Sequence, residues 1–325
     1  MKYLLEVYSI WELGNREKQE DSIFPKYGEA KSSDRLFILC DGMGGHSAGK
    51  IASDTVCQVM GQSVHKLCPS VNAVFTDEDF KVALDDAFNV LDTKDNGAAK
   101  KMGTTLAFLK LHKDGATIAH IGDSRVYHIR PGKDINNTIL LFQTQDHSLV
   151  NNLVKIGELT PEQAKTSRQR NVITRAMQPG MEHRPKADLY HTQDIKKDDY
   201  FMLCSDGMLE QMEDDNLRFI FSDKGGRVEN KVKILKQVTA NNKDNHSAIV
   251  VHILKIENAD DKLVYSQEKN MPIILCSEKE KDASMETNRQ GNRWGLALLV
   301  VVLFILIGFL ALKFLGFFSF RWNDV

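Results

Sequence analysis

The sequence has few cysteines, and they are not regularly spaced. The five stand at positions 40, 57, 68, 204 and 276, with no Cys-x-x-Cys pair, so neither a zinc site nor a disulfide framework is indicated. Cys40 and Cys204 lie within apolar strand patterns, where cysteine behaves as a small hydrophobic residue. This usage fits a reducing compartment best.

The chain also lacks an excess of charge of either sign. With 42 Lys and Arg against 44 Asp and Glu, its formal net charge is −2, which gives no indication of a nucleic-acid partner. The apolar run at the N-terminus is interrupted by Glu6, so no signal peptide is predicted. There are no internal repeats. At 325 residues, 42% of them hydrophobic, the chain is large enough for one sizeable core or two smaller ones.

One long uncharged segment is present near the C-terminus. Residues 294–312 carry no charged side chain over 19 positions, and as a helix they would extend about 28 Å, close to the thickness of a bilayer core. The preceding charged linker, 255–293, has four Lys and Arg in its last 17 residues, whereas the short tail 313–325 has two. This bias predicts a single-pass membrane anchor with the large N-terminal part in the cytoplasm.

The rest of the chain alternates short strand patterns with helical ones. Strands are predicted at 1–12, 36–40, 103–111, 115–121, 126–129, 139–144, 200–204 and 248–254, and helices at 50–60, 78–102, 210–221 and 228–239. Residues 146–180 are more polar and are predicted to be an inserted lobe, with a helix that begins at Thr160-Pro161. Short strands in succession with helices in pairs indicate an α+β fold, in which helices cover antiparallel sheets.

Acidic residues recur at the ends of these strands. They are Asp41, Asp123 and Asp206 after strands, Asp244 before the last strand, and Glu20-Asp21 in a polar turn. A single such acid is most often a turn former or helix cap, but four beside buried strands indicate a shared site. Converging carboxylates, without cysteine and with few histidines, favour Mg²⁺ or Mn²⁺ over Zn²⁺. Two such ions about 3.5–4 Å apart can lower the pKa of a water that they share, so that it ionises and displaces the leaving group at a phosphorus atom.

Two further residues suit phosphate chemistry. Arg16 could supply the bidentate cation that a phosphate needs, and the alternative is an ordinary surface arginine. His46, in the glycine-rich turn after Asp41, could protonate a leaving alkoxide, and the alternative is a turn histidine. Gly42 and its neighbouring glycines allow the backbone to turn sharply and to approach a ligand closely.

These motifs occur in a familiar order. The chain resembles the PP2C-type (PPM) metal-dependent protein serine/threonine phosphatases, and its Gly-Met-Gly-Gly-His sequence resembles their bacterial branch. The motifs are Arg16-x-x-x-Glu20-Asp21, Asp41-Gly-Met-Gly-Gly-His46, Met102-Gly-Thr-Thr105, Gly122-Asp-Ser-Arg125, Cys204-Ser-Asp-Gly207 and Asp244-Asn245. The match covers about residues 1–254. It implies a phosphatase domain with a four-layer α-β-β-α sandwich and a binuclear Mn²⁺ or Mg²⁺ centre at one end of the two sheets.

The resemblance also implies a role for each matched residue. Asp41 would bridge both ions, Gly42 would offer its carbonyl to one, and Asp206 and Asp244 would ligate one. Glu20 and Asp21 would line the site through water, and Asp123 would hold a weaker third ion. Arg16 would bind phosphate, and His46 would be the general acid. Residues 146–180 match the flap that shapes substrate access. Gln19, Gln178 and His246 depart from the residues usual in the family, but none of them removes a ligand.

The expected function is hydrolysis of phosphoserine and phosphothreonine in proteins. Residues 294–312 would anchor the enzyme in a membrane, close to a membrane-associated serine/threonine kinase whose action it opposes. One alternative is a catalytically inactive phosphatase-fold module that binds phosphoproteins or recruits partners. Loss of metal carboxylates would favour it, but Asp41, Asp123, Asp206 and Asp244 are all present. A third hypothesis keeps the metal site and makes the substrate a small phosphorylated molecule.

Overall fold

Two five-stranded antiparallel sheets form the centre of the molecule. The computed structural model describes residues 2–257 except 45–47, 71–72, 96 and 98–100. The strands are β1 Lys2–Glu12, β2 Ser22–Phe24, β3 Leu36–Cys40, β4 Gly42–Met43, β5 Gly103–Thr104, β6 Leu106–His112, β7 Gly115–Ile121, β8 Arg125–Arg130, β9 Ile139–Gln143, β10 Asp188–Thr192, β11 Tyr200–Cys204 and β12 His246–Glu257. One sheet has the order β1-β12-β11-β8-β9 and the other β10-β7-β6-β3-β2, and β4 pairs with β5 in a small ribbon.

Six α-helices accompany the sheets within the described residues. They are α1 Ala48–Leu67, α2 Asp77–Asp92, α3 Leu149–Lys155, α4 Pro161–Thr166, α5 Asp214–Phe221 and α6 Val228–Thr239. The helices α1 and α2 pack together against one sheet, in a core that includes Met60, Phe80 and Phe108. The helices α5 and α6 cover the other sheet around Phe221 and Leu235.

The strand β3 shows why an uninterrupted apolar sequence is needed here. Leu36, Ile38 and Cys40 belong to the core that contains α1 and α2, whereas Phe37 and Leu39 face the second sheet, in a core shared with residues of β11 and β12. Successive side chains of a strand point to opposite faces, and both faces of this strand are covered. The resulting layers, helices, sheet, sheet and helices, confirm the predicted α-β-β-α sandwich.

Two predicted helices are shorter than their sequence patterns suggested. The pattern over 78–102 ends as a helix at Asp92, because a turn follows and Gly97 adopts a φ of +68°, a backbone conformation that an α-helix cannot contain. The pattern over 210–221 becomes helical only at Asp214, where Glu213 and Asn216 form a reciprocal cap. The strand β10 and the helix α3 were not predicted.

The inserted lobe at 146–180 contains α3 and α4. Each helix has a side-chain N-cap, Ser148 for α3 and Thr160 for α4, which confirms the predicted helix start at Thr160-Pro161. An antiparallel bridge between Ser148 and Ile173 joins the two ends of the lobe, and a second bridge between Met177 and Thr104 joins the lobe to β5. Both of its ends are therefore fixed near the same edge of the sandwich.

The chain beyond Glu257 lies outside the described residues. The last strand runs three residues past the predicted domain end at 254. The rest of the charged linker, the predicted membrane anchor at 294–312 and the tail at 313–325 all fall in this part of the sequence. Among the helices that the structure does describe, none is both long and apolar enough to cross a membrane.

Candidate active site

The backbone of Asp41 is fixed on both sides at the end of β3. Its N–H donates to the Thr105 hydroxyl at 2.9 Å. Its carbonyl accepts from the Thr105 N–H and from the Thr104 hydroxyl, each at 2.9 Å. Because the main-chain groups are satisfied in this way, the Asp41 carboxylate is left to face the end of the sandwich.

Gly42 brings two other segments close to Asp41. A Cβ atom on Gly42 would lie 2.3 Å from the carbonyl oxygen of Gly49 and 2.6 Å from that of Glu20, distances that no side chain could occupy. The first turn of α1 and the Glu20-Asp21 segment therefore pack directly against the Gly42 backbone. This contact explains the glycine and places Glu20 beside Asp41.

Asp21 is fully buried, and one of its carboxylate oxygens has no partner. Ser205 Oγ donates to Oδ2 at 2.9 Å, whereas Oδ1 has no hydrogen-bond partner within the described part of the chain. Burial, followed by repulsion from Asp206 and Asp244, raises the pKa of Asp21 to about 7, although the nearby hydroxyls of Ser247 and Ser205 oppose the rise. A lone buried carboxylate of this kind is costly unless a cation meets it.

Three more carboxylates share this environment. Burial and repulsion from Asp206 and Asp146 raise the pKa of Asp123 to about 8, and its Oδ1 also lacks a partner among the described residues. Burial, followed by repulsion from Asp21 and Asp206, raises the pKa of Asp41. Burial, followed by repulsion from Asp244, raises the pKa of Asp206, and the Asp41 and Asp206 carboxyls are close enough to share a hydrogen bond. The sequence-predicted acids are thus brought together in one cluster of like charge.

Asp244 stands at the more exposed side of the cluster and is paired with Arg16. Arg16 Nη2 lies 2.6 Å from Asp244 Oδ2, and the two side chains are 56% and 35% exposed. Glu210 accepts the N–H of Asp244 at 3.0 Å. Asn245 accepts the N–H of Glu20 at 2.8 Å and donates to the carbonyl of Leu13 at 2.9 Å. The Arg16 loop is therefore connected to the segment that carries Asp244, immediately before β12.

The donor set fits Mn²⁺ or Mg²⁺. Its members offer carboxylate and carbonyl oxygens, which hard divalent cations prefer. In the described part of the site the like charges of Asp21, Asp41, Asp123 and Asp206 are balanced by no internal ion pair, since Arg16 is engaged by Asp244. The unpartnered Oδ1 atoms of Asp21 and Asp123 are buried polar atoms of the kind that a bound cation satisfies.

One predicted site residue lies outside the described residues. This is His46, the expected general acid, which falls in the segment 45–47. Three supporting residues were not given a role by the sequence analysis: Thr105, Ser205 and Asn245. Each lies inside a quoted motif, and Ser205 and Asn245 also stand directly beside the predicted ligands Asp206 and Asp244; these positions were the available signal. Glu210 had no such signal, because its role depends on how the chain folds back onto Lys243 and Asp244.

Two of the residues that depart from the family pattern, Gln19 and His246, take part in local hydrogen bonds. The Gln19 side chain donates to the carbonyl of Glu12 at 2.8 Å and accepts the N–H of Asp21 at 3.0 Å, so it helps to hold Asp21 in place. His246 Nδ1 lies 2.9 Å from the carbonyl oxygen of Asp244. Both departures from the family pattern therefore preserve the positions of neighbouring acids.

A second group of potential metal ligands lies near the start of the inserted lobe. His120, His147 and Asp188 have ligand atoms within 4.8 Å of one another. Their polar atoms are already engaged: His147 Nδ1 accepts the N–H of Gly122 at 3.1 Å, and Asp188 pairs with Arg175 at 2.8 Å. This group differs from the carboxylate cluster because its charges and hydrogen bonds are satisfied internally.

Comparison with known proteins places this site in a family. The family profile described as protein phosphatase 2C matches residues 14–245. The protein phosphatase PhpP of Streptococcus pneumoniae is 33% identical over 218 residues, which cover 66% of this chain and 84% of that protein. The crystal structure of the Mycobacterium tuberculosis serine/threonine phosphatase PstP/Ppp is 26% identical, with a TM-score of 0.63, and covers 78% of this chain and 99% of that one.

A further structure, the serine/threonine phosphatase Stp1 from Staphylococcus aureus, is 30% identical with a TM-score of 0.61 and covers 77% of this chain and 95% of that one. The profile match spans every described acid of the cluster, from Glu20 to Asp244. The chain therefore belongs to the protein phosphatase 2C family, whose members are Mn²⁺- or Mg²⁺-dependent protein serine/threonine phosphatases.

Proposed function

We propose that this protein removes phosphate from phosphoserine and phosphothreonine residues of proteins at the carboxylate end of its two sheets, with two Mn²⁺ or Mg²⁺ ions and a more weakly held third. The observation that carries the proposal is the cluster of buried carboxylates with raised pKa values, of which Asp21 and Asp123 each have an oxygen without a described partner. At a pH where these acids are ionised, bound cations would offset the repulsion within such a cluster.

Each acid has a place in holding these ions. Asp41 would hold both principal ions, and the carbonyl of Gly42 would serve one of them. Asp206 and Asp244 would hold one, Glu20 and Asp21 would act through water, and Asp123 would hold the third. When bound, the ions supply a Lewis acid for phosphoryl oxygens and the means to ionise a water near neutral pH.

Arg16 is proposed to orient the phosphate group. Its guanidinium is 56% exposed at the rim of the cluster and pairs with Asp244, so it can turn towards a substrate without leaving a buried partner. A planar guanidinium donates two parallel hydrogen bonds to a phosphate. His46 is proposed to protonate the departing serine or threonine oxygen, a role that its place in the sequence, shortly after Asp41, supports.

A direct test uses the full-length protein in detergent with a phosphothreonine peptide and a phosphoserine peptide. We expect phosphate release that requires Mn²⁺ or Mg²⁺ and stops with EDTA. Asp41→Asn and Asp206→Asn should each lower kcat/KM by roughly 10³-fold, since the loss of several kcal/mol of metal-assisted stabilisation has that effect. Asp86→Asn is the matched control, because that α2 carboxylate bonds Ser63 and not the cluster.

The other hypotheses predict different results. A folded protein that binds Mn²⁺ and phosphopeptides without turnover would be an inactive binding module. Turnover of a small phosphorylated molecule with none on either peptide would indicate a non-protein substrate. Either result would contradict the proposed reaction.

We also propose that the protein is anchored in a membrane by residues 294–312, with the phosphatase domain in the cytoplasm and near a membrane-associated serine/threonine kinase. The uncharged 19-residue segment and the four basic residues that precede it support this proposal. Leu303→Arg with Ile305→Asp should release the full-length protein from carbonate-washed membranes, since each charge costs about 3 kcal/mol at the centre of a bilayer. Leu303→Ile is the control, and membrane retention of the charged variant would exclude the anchor.

A further inference from the structure

His147 makes two hydrogen bonds to the residue that precedes Asp123. Its backbone N–H donates to the carbonyl of Gly122 at 2.9 Å, and the N–H of Gly122 donates to its Nδ1 at 3.1 Å. The side chain is only 6% exposed. This first part of the inserted lobe is therefore joined by backbone and side chain to the turn that carries Asp123.

The hydrogen bonds define the form of the His147 ring. A backbone N–H can only donate, so Nδ1 must carry its lone pair, and the neutral ring then has its proton on Nε2. That Nε2 lies 3.2 Å from Asp188 Oδ2, which can accept its hydrogen bond. Arg175 Nη1 is also 3.2 Å from Nε2, but two donors cannot bond to each other, and this guanidinium donates to Asp188 Oδ1 at 2.8 Å instead. One face of the ring stacks on His120, with centroids 4.4 Å apart.

The same residue reaches the other end of the lobe. The N–H of Thr174 donates to the carbonyl of His147 at 2.7 Å, and the next residue, Arg175, pairs with Asp188 at 2.8 Å. We define the flap root as residues 146–148 and 173–175. Hydrogen bonds join these two segments to each other and to Gly122.

The Gly122–Asp123 turn cannot easily adjust by itself. Gly122 has a φ of +103°, and a Cβ there would lie 2.6 Å from Thr105 Cγ2. The adjacent Ser124 hydroxyl is 2.7 Å from the Thr105 hydroxyl, and Thr105 in turn holds the backbone of Asp41. A displacement of the flap root would therefore reach Asp123 through a tightly packed turn.

We propose that His147 is a positioning residue that fixes the Gly122–Asp123 turn to the flap root, so that the affinity of the Asp123 cation site depends on the position of the flap. The proposal rests on the proposed function, because it takes Asp123 as a cation ligand. His147 contacts neither substrate nor cation in this scheme. It acts through Gly122, much as outer-shell hydrogen bonds orient metal ligands in other proteins.

The test compares His147→Ala with His147→Asn in the full-length protein in detergent. Asn places Oδ1 where His has Nδ1, so it can accept the Gly122 N–H, whereas Ala cannot. By isothermal titration with Mn²⁺, we expect Ala to weaken the weakest site by at least about tenfold, a typical cost of losing an outer-shell contact. We expect Asn to remain within about twofold of wild type. The matched control is His112→Ala, another buried histidine, which bonds Thr117 instead.

A second readout needs no metal. Arg168 and Arg170 are exposed in the flap, and trypsin cleavage after them in EDTA reports how firmly the lobe is held. His147→Ala should be cut several times faster than wild type, while His147→Asn and His112→Ala should be cut at the wild-type rate. This pattern would separate the loss of the Gly122 contact from general destabilisation.

The outcomes are distinguishable. If His147→Ala binds Mn²⁺ like wild type while Asp123→Asn loses the weakest site, the role of His147 is overturned and the proposed function stands. If His147→Asn behaves like His147→Ala in both readouts, the Gly122 contact is not the cause and the proposal also fails. If Asp123→Asn leaves Mn²⁺ binding unchanged, the assignment of Asp123 as a ligand fails, and the dependence on His147 fails with it.

Discussion

Two kinds of buried carboxylate occur in this protein. Asp199 is fully buried and accepts hydrogen bonds from His128 Nε2 at 3.0 Å, from Arg130 Nε at 2.9 Å and from the N–H of Lys196 at 2.8 Å. Burial alone would raise its pKa, but these donors lower the pKa below its ordinary value. Asp21 is equally buried, yet the pKa of its carboxyl is raised to about 7.

The difference lies in where the compensating positive charge comes from. Asp199 has a permanent cation, Arg130, within the folded chain, so its charge contributes to structure. Asp21 and its neighbours repel one another and have oxygens without described partners, so their charge is neutralised from outside the folded chain, by protons or by bound ions. Burial of an acid is therefore not by itself a sign of function, whereas burial without an internal counter-charge is.

The largest effect on stability is expected at the internally paired acid. Asp199→Asn should lower the free energy of unfolding by about 3–5 kcal/mol, because it removes the charged partner of the buried His128 and one of the two charged partners of the mostly buried Arg130. Urea unfolding of the metal-free protein measures this value. Asp194→Asn is the control, since Asp194 also pairs with Arg130 but is 61% exposed. It should cost under about 1 kcal/mol, and equal losses in the two variants would contradict the comparison.

In the carboxylate cluster, a substitution is expected to increase the free energy of unfolding instead. Asp21→Asn should raise the free energy of unfolding of the metal-free protein by about 1 kcal/mol, because it removes one charge from a site of like charges, a common way in which active-site substitutions stabilise. The gain should shrink or reverse when Mn²⁺ is added. Urea unfolding with EDTA and then with Mn²⁺ provides the measurement. A loss of stability in EDTA would show that Asp21 is compensated internally after all.

The two kinds of acid should also differ in pH dependence. The folded-state pKa values of about 7 for Asp21 and about 8 for Asp123 lie above the ordinary value of about 4. Their contribution to stability is present below pH 4 and is lost as the pH rises through 7 and 8. Asp199, whose pKa is lowered, contributes above pH 4 and loses its contribution at more acidic pH.

We therefore expect the metal-free protein to be more stable at pH 5 than at pH 8. The increase in unfolding free energy on adding Mn²⁺ should be larger at pH 8, because protons then compete less for the carboxylates. Thermal unfolding at both pH values, with EDTA and with Mn²⁺, tests both expectations. A metal-free protein that gains stability between pH 5 and pH 8 would contradict the raised pKa values.

The smallest effect on stability is expected at Arg16, at the exposed edge of the carboxylate cluster. Arg16→Ala should change the unfolding free energy by less than about 1 kcal/mol, because the Arg16–Asp244 pair is largely exposed and is weakened by solvent. The substitution should instead raise KM for phosphopeptides, in keeping with a phosphate-binding role. Lys81→Ala, which breaks an exposed pair with Glu78, is a control for stability alone. A large loss of stability in Arg16→Ala would indicate a structural arginine.

Much of the fold could be predicted from local sequence patterns. The five apolar residues of β3 and the acid that follows them are visible in a short window, since a strand buried on both faces has a continuous apolar sequence. The helix predicted over 78–102 was wrong beyond Asp92, because the apolar periodicity of the sequence continues past the residue at which the backbone turns. The start of α5 depended on a cap between Glu213 and Asn216, which the periodic pattern does not reveal.

The supporting residues of the site were less predictable. Glu210 and His147 act on Asp244 and Gly122, at sequence separations of 34 and 25 residues. A lone histidine in a polar stretch carries no sequence signal for such a contact, which arises only when the inserted lobe returns to the sheet. Motifs thus located the groups that would bind ions, but not the neighbours that orient them.

The pairing of β1 with β12 also separates the carboxylate cluster from the end of the described chain. At one end of this pair Glu12 lies opposite His246, two residues from Asp244, and at the other end Lys2 lies opposite Glu257. A 12-residue strand is roughly 36–40 Å long. The residues that follow Glu257 in the sequence therefore start about one strand length away from the acids, so the C-terminal segment departs from the end of β12 that is remote from the site.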